Sequence, residues 1–470
     1  MQGFLDRLLS SGLGSDARGR LLAEALAAAL EAVHPRGWLP RHLRVAGCLE
    51  AAGERVCPRP SVYAIGFGKA AATMAEALVE HLGASLEAGV FIAPRGMGGR
   101  RIGPVEVLEG DHPLPTKASL EASLRLLEFV EELPSNSVLL VLVSGGGSSL
   151  FEVPAEGLEI EDVAETTRLL LDAGADIYET NAVRKHISRV KGGQLLRYTR
   201  SSLVVTLAMS DVPGDRLDTI ASGPTVPDPT TYRDALEALE RHGLLGKVPR
   251  RVREHLEAGA RGEKPETPKP GDPVFMKGRA RVAARNLDAL TAAAGVLEDR
   301  GVSALILTDT LRGEAREAAR ALAGLLEASL REGTSIPSPP SAVIAGGETT
   351  VTVRGSGVGG RNQELCLSLA AELHRLRLIE AYKAACMGTD GVDGRSRAAG
   401  AWVDESTIPR ALGMGLDPYR FLENNDSYTF FSRVGGVIDL GGYTGVNVND
   451  VFVALPGPDS RYERLARRPG

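Results

Sequence analysis

Short apolar runs ending in glycine alternate with amphipathic stretches along most of this chain. Residues 21–33 are rich in Ala and Leu and read as a helix. The alternation then begins. Apolar runs at 61–66, 89–93, 105–108, 137–143 and 203–207 read as strands, and 70–82 and 117–132 carry apolar residues at helical spacing. Strands that are apolar throughout and alternate with helices indicate a parallel sheet covered on both faces. Such sheets bind ligands outside the carboxyl ends of their strands.

Residues 259–273 break the pattern. They are polar, rich in Gly and Pro and without periodicity, and read as a linker. Beyond them the spacing predicts a helix over 286–300, a strand over 302–307, a helix over 313–330 and a loop over 333–340. Strands over 342–345 and 349–353 and a helix over 361–376 follow. A chain of 470 residues exceeds what one hydrophobic core usually serves. The expected architecture is two α/β domains, 1–260 and 274–470. The first is a Rossmann-like parallel sheet with helices on both faces.

Composition narrows the function classes. The net charge of -6 argues against a general nucleic-acid binder. No stretch approaches the length of a membrane-spanning helix, and the N-terminus lacks a basic region followed by an apolar one. The expectation is a cytoplasmic protein that acts on small molecules, without nucleic-acid or membrane partners, as a monomer or homodimer. Cys48, Cys57, Cys366 and Cys386 have neither CxxC nor zinc-ligand spacing and read as reduced thiols.

The candidate chemistry collects at strand ends. Gly66-Phe67-Gly68-Lys69 closes a strand and opens a helix, where an anion is favoured. The spacing is not that of a Walker A loop. Ser144-Gly145-Gly146-Gly147-Ser148-Ser149 follows another strand and has the make-up of a nest for phosphate or carboxylate. The stretch from Asn181 to Gly193 concentrates cations, among them Arg184, Lys185, Arg189 and Lys191. It reads either as a phosphate-facing basic helix, with Arg184 aligned on Ser188, or as a solvated charged face. Asp211 follows a further strand and is placed to hold Mg²⁺ or take a hydroxyl proton. In the second domain Glu348, Asp390 and Asp393 are candidate metal ligands, as is Asp211 in the first. Thr389 stands beside Asp390, and Arg361 opens a helix where it can stabilise transferring charge.

In their order and number these motifs resemble the glycerate 2-kinase family whose C-terminal part is the MOFRL domain. The resemblance rests on GKAA at 68–71, EGDHPLP at 109–115, SGGGSS at 144–149 and NAVRKHISRVKGG at 181–193. It rests also on SDVPGD at 210–215, SGPT at 222–225, GGRNQE at 359–364 and GTDGVDG at 388–394. It implies two dissimilar α/β domains with the active site in the cleft between them, ATP as phosphoryl donor, Mg²⁺ or another divalent cation, and D-glycerate as acceptor. It implies essential roles for Lys69, Asp211 and Arg361. Where the family carries Thr-Gly-Pro-Thr-Gly-Thr-Asn, this chain has Gly441-Gly442-Tyr443-Thr444-Gly445-Val446-Asn447, so only Thr444 and Asn447 carry over as contacts. Two alternatives are a glycerate kinase forming 3-phosphoglycerate and an NAD(P)H-dependent hydroxypyruvate reductase. The reductase would want an acidic residue at the end of the strand over 89–93, and none is evident there.

Overall fold

A computed structural model of the chain describes residues 2–329, 341–378 and 382–456. The loop expected over 333–340 lies outside the described residues. The chain divides into two compact units, Pro35–Ala284 and a second made of Met1–His34 with Arg285–Gly470.

The unit Pro35–Ala284 begins with a helix, Pro35–His42, and a small antiparallel sheet of β1 (Leu43–Val45), β2 (Leu49–Ala51) and β3 (Glu54–Val56). Leu49 pairs with Val56 across β2 and β3. One step outward, Cys48 and Cys57 face each other with Cα atoms 4.6 Å apart and form a disulfide. The expectation of four reduced thiols therefore fails for this pair, because a tight meander joins cysteines that sequence spacing does not suggest. Cys366 and Cys386 are free and buried.

Seven further strands form the main sheet of this unit: β4 (Val62–Phe67), β5 (Leu86–Pro94), β6 (Arg100–Ile102), β7 (Val105–Gly110), β8 (Val138–Val143), β9 (Leu203–Met209) and β10 (Gly278–Ala284). Their order is β10-β9-β8-β4-β5-β7-β6, parallel except for β6. Every residue of β8 and β9 is buried, so both faces of the sheet are covered. The helix Lys117–Glu131 contributes Ala122, Leu126 and Val130 to the core beside Ile65, Ile92 and Val141. After β4 the chain builds outward through β5 and β7, then returns to lay β8 on the other side of β4. The β4–β8 edge is thus the topological switch point, where parallel sheets leave a crevice at their carboxyl ends.

The stretch read as a linker is bound into this unit. Thr267 Oγ1 donates to Asp228 Oδ2 at 2.9 Å, the Asp228 amide donates to Pro268 O at 3.0 Å, and the Tyr232 amide donates to Glu266 Oε1 at 3.0 Å. Its polar side chains serve buried partners, which composition alone does not reveal. After it, β10 adds an edge strand that the sequence reading missed, and the unit ends at Ala284.

The other unit has a mixed sheet of β11 (Ser303–Leu311), β12 (Ser341–Gly347), β13 (Tyr382–Gly388), β14 (Gly400–Val403), β15 (Val437–Ile438) and β16 (Asp450–Pro456), in the order β11-β12-β16-β13-β14-β15. Residues 349–353 do not form the expected strand; Thr350 makes only an isolated bridge to Glu314. The N-terminal helix Ala17–Val33 packs on the helix Asn286–Asp299 of this unit. Its N-cap Asp16 accepts from the Gly19 amide at 2.8 Å and pairs with the buried Lys383. The division therefore differs from 1–260 and 274–470: the apolar face of the first helices belongs with the second half of the chain.

Candidate active site

The carboxyl ends of β4 and β8 carry the two glycine motifs of the unit Pro35–Ala284. They interlock. The Lys69 amide donates to Gly145 O at 2.8 Å, and the Ala70 amide donates to Ser144 Oγ at 3.0 Å. A β-carbon on Gly68 would stand 2.2 Å from Ser144 Oγ, so only glycine permits this approach.

The serines of the loop are engaged internally. Ser149 Oγ donates to Gly146 O at 3.2 Å, and Ser148 Oγ lies 2.9 Å from Ser222 Oγ. Ser222 Oγ in turn donates to Asn181 Oδ1 at 2.8 Å. Ala221 and Ser222, which brace the loop, have φ of 50° and 59°. Such left-handed backbone is rare for residues with a side chain and clusters at functional sites. The amides of Gly145 and Gly146 have no acceptor among the described residues. Two unmatched donors in a glycine loop at a switch point can receive an anion.

Cations surround this loop. The Lys69 side chain has no ion-pair or hydrogen-bond partner among the described residues. Arg184 lies one turn after Asn181 on the helix Ile177–His186, near enough to the His112 ring for its charge to lower the ring's pKa. Arg184 Nε donates to Thr167 Oγ1 at 3.4 Å, and burial lowers its pKa while the Glu152 charge opposes that. Lys191 is wholly buried and held by Glu152 Oε2 at 2.8 Å and Phe151 O at 2.9 Å. It supports the loop from beneath and is not offered to a ligand.

The helix ends at His186, so the expected alignment of Arg184 with Ser188 does not form. Lys185 and His186 match neither sequence reading of this stretch. They are buried, Lys185 against Asp228 at 3.1 Å and His186 against Glu266 at 3.0 Å. Asp211 stands half-buried two residues after β9, the strand next to β8. His112 is the residue that sequence reasoning passed over: a β-carbon on Gly146 would lie 2.9 Å from His112 Cδ2 and 3.2 Å from Lys69 Cγ. Its only signal was membership of the EGDHPLP run.

In the other unit the glycine-rich ends of β12 and β13 flank the start of β16. Gly347 and Gly388 are both register partners of Asp450. The Asp450 carboxylate accepts from Arg361 Nε at 2.6 Å, from Arg361 Nη2 at 2.9 Å and from Asn362 Nδ2 at 2.9 Å. Arg361 Nη1 also pairs with Glu348 Oε1 at 3.2 Å. Burial alone would lower the Arg361 pKa, but the charge of Asp450 and its hydrogen bonds raise it. Asp450 is a second residue the sequence reading missed, a lone acid ahead of an apolar strand.

Asp393 accepts from the amides of Asn362 at 3.0 Å and Gln363 at 2.8 Å. It caps the helix Arg361–Arg375, and burial pushes its pKa up to about 7 against those two bonds. Thr389 Oγ1 donates to Asn449 O at 2.7 Å, Thr444 Oγ1 donates to Thr389 O at 2.5 Å, and the Thr444 amide donates to Asp390 O at 3.1 Å. These bonds bring Thr389, Asp390 and Thr444 together, with Asn447 buried in the same loop. The two hydroxyls hold loops together.

Among the described residues no group of three or more His, Cys, Asp or Glu side chains could hold a metal ion alone. Mg²⁺ in phosphoryl-transfer sites takes one or two carboxylates together with substrate phosphates. Of the four metal candidates, Asp393 is committed to its cap and Glu348 to Arg361. Asp211 and Asp390, both half-buried, fit that smaller requirement.

Comparison with known proteins gives the relationships. Residues 21–257 match the model of a domain of unknown function, DUF4147, and residues 341–450 match the MOFRL family. The chain is 41% identical over 396 residues to D-glycerate 2-kinase of Thermotoga maritima, covering 84% of this chain and 90% of that protein. It is 40% identical over 396 residues to glycerate 2-kinase of Pyrococcus horikoshii, covering 84% and 87%. The crystal structure of glycerate kinase from Thermotoga maritima superposes with a TM-score of 0.80 at 37% identity, over 93% of this chain and 99% of that one.

Proposed function

The chain belongs to the glycerate 2-kinase family, and from that membership we infer that it moves the γ-phosphate of ATP onto the 2-hydroxyl of D-glycerate, giving 2-phosphoglycerate and ADP. The observation that carries this reading in the molecule itself is the β4–β8 crevice. There an unpartnered Lys69 and two unmatched glycine amides stand together.

The residues divide the work by their chemistry. Phosphoryl transfer demands positioning and stabilisation of charge on the phosphoryl oxygens. Lys69 and the amides of the Ser144–Ser149 loop bind oxyanion groups, and Arg184 adds charge beside them. Asp211 takes the proton of the acceptor hydroxyl, since an alcohol is a poor nucleophile while its proton is in place. Arg361, held by Asp450, stabilises charge on the transferring group. A divalent ion, when bound, would screen the phosphate charges; Asp211 in one unit and Asp390 in the other are each carboxylates of a kind suited to such an ion. At the end of β5, Pro94 and Arg95 stand where a dinucleotide site would place its ribose-binding acid, which disfavours the reductase.

The test is direct. The protein is incubated with D-glycerate, ATP and Mg²⁺, and the product is identified by ³¹P and ¹³C NMR. The expected product is 2-phosphoglycerate with one ADP per turnover. Phosphate on the 3-hydroxyl would overturn the regiochemistry. NADH consumption with hydroxypyruvate and no ADP would overturn the kinase.

A further inference from the structure

His112 lies in the loop after β7 and is not among the residues to which the functional reading gives a role. Its ring meets the glycine loop at Gly146, on the same side as the Lys69 side chain: the contacts of a β-carbon there would be His112 Cδ2 at 2.9 Å, His112 Nε2 at 3.2 Å and Lys69 Cγ at 3.2 Å. Neither ring nitrogen has a hydrogen-bond partner among the described residues. The same is true of Lys69 and of the Gly145 and Gly146 amides. The charge of Arg184 also reaches the His112 ring. The only side-chain hydrogen bond of Arg184 among the described residues is the 3.4 Å contact to Thr167, which leaves most of its five donors unmatched there. A charged side chain, an imidazole and two amides, all without acceptors, thus converge on one point of the loop. Of these groups Gly145 is buried, and a buried donor without an acceptor calls for a partner.

We propose that His112 is a substrate-binding residue: it donates a hydrogen bond to the oxyanion that Lys69, Arg184 and the Gly145 and Gly146 amides hold. The inference rests on the functional reading above only for the identity of that oxyanion, which is the carboxylate of glycerate or a phosphate of the nucleotide. The protonation state suits the role. His112 is an exposed residue, but partial burial of its ring against the loop, then the charges of Lys69 and Arg184, push the imidazole pKa down to about 4. A neutral imidazole keeps one N–H to donate and one lone pair. It adds a directed hydrogen bond without crowding a third full charge into the pocket. The anion must then be met by a geometry and not by charge alone, which gives the loop selectivity among anions of equal charge.

The test uses the whole protein with ¹³C-labelled histidine. The chain has eight histidines, and His112→Gln identifies the His112 signal by its loss. D-Glycerate, inorganic phosphate and ADP are added separately. The His112 ring signal is expected to move with the ligand whose oxyanion it meets: with glycerate alone for a carboxylate, with phosphate and ADP for a phosphate. In kinetics, His112→Gln should raise KM for that same substrate about tenfold or more, the usual consequence of losing a hydrogen bond to a charged group. KM for the other substrate should stay within about twofold. A His112 signal that none of the three ligands moves, in protein that phosphorylates glycerate at its normal rate, overturns the inference. So does a His112→Gln enzyme with both KM values unchanged. Should the protein fail to phosphorylate glycerate while His112 still responds to phosphate, the kinase reading falls and the anion pocket stands.

Discussion

Asp450 grips Arg361 with both carboxylate oxygens, Nε at 2.6 Å and Nη2 at 2.9 Å, and so fixes the plane of the guanidinium. Paired bonds of this kind set direction as well as charge. Asp450→Asn is expected to keep one bond and lose the charge. Turnover should fall about tenfold or more, since a misaimed guanidinium no longer tracks the transferring charge. Arg361→Lys should fall further, because an ammonium cannot make the fork. Steady-state kinetics with D-glycerate and ATP check both. Normal turnover in Asp450→Asn would leave the pair as a fastening between β16 and the helix Arg361–Arg375.

Lys69 separates activity from stability. It has no partner among the described residues, so Lys69→Ala should leave Tm unchanged within about 1 °C while kcat falls about 10²–10³-fold. Calorimetry and an ADP-release assay decide it. Wild-type turnover in the variant removes Lys69 from the mechanism.

Gly146 tests the anion nest with a built-in control. Its φ is 80°, and a β-carbon would press into the His112 ring at 2.9 Å and stand 3.2 Å from Lys69 Cγ. Gly157 has φ of 85° with nothing within 4 Å of a β-carbon. Both Gly→Ala changes carry a left-handed strain of about 1–2 kcal/mol. Only Gly146→Ala should also raise KM, about tenfold or more. Equal kinetics in the two variants would reduce the loop to a turn.

The Glu266 carboxylate gives a pH signature. Burial would raise its pKa, but hydrogen bonds from His186, the Tyr232 amide and Lys269 prevail and lower it to about 2. The folded value lies below the unfolded one, near 4.5. The contribution to stability is therefore complete above about pH 4.5 and is lost as pH falls toward 2. Glu266→Gln should lower Tm at pH 6 and matter less with each step down in pH. Melting curves from pH 6 to 3 would show the two proteins converging; a constant difference would mean that charge is not what Glu266 supplies.

These cases also mark what the chain discloses by pattern. The strands β4, β5, β7, β8 and β9 are legible because buried parallel strands are apolar throughout. The edge strand β10, Gly-Arg-Ala-Arg-Val-Ala-Ala, is half polar and hides behind a stretch that reads as a linker. The residues Lys69 and Ser144–Ser149 are legible because glycine at a strand end has few other uses. His112 and Asp450 are not, because each meets its neighbour, Gly146 or Arg361, only in the fold. Asp393 misleads: an acid in Gly-Val-Asp-Gly reads as a metal ligand, and its oxygens are filled by the amides of Asn362 and Gln363. The first helices mislead in another way, since an Ala-rich amphipathic face does not say which core it joins.

Asp211 has two possible duties, and they separate in one experiment. It follows β9, buried at every position, so its backbone is anchored. The turn after it is fixed by Ser210, whose hydroxyl donates to Val212 O at 3.2 Å and accepts from the Val212 amide at 3.3 Å. A carboxylate on so firm a turn holds one direction, as either a general base or a metal ligand requires. Asp211→Asn removes the basic lone pair and keeps a neutral oxygen that can still coordinate a cation. If Asp211 takes the hydroxyl proton, kcat should fall about 10²–10⁴-fold while the Mg²⁺ concentration for half-maximal rate stays put. If Asp211 holds the ion, the rate should recover as Mg²⁺ is raised. The base role is the one expected, because its place two residues beyond β9 puts it next to the strand whose loop binds the oxyanion, where an acceptor hydroxyl would lie. Normal turnover at ordinary Mg²⁺ would exclude both duties and move the search for the catalytic carboxylate to Asp390, the other half-buried metal candidate.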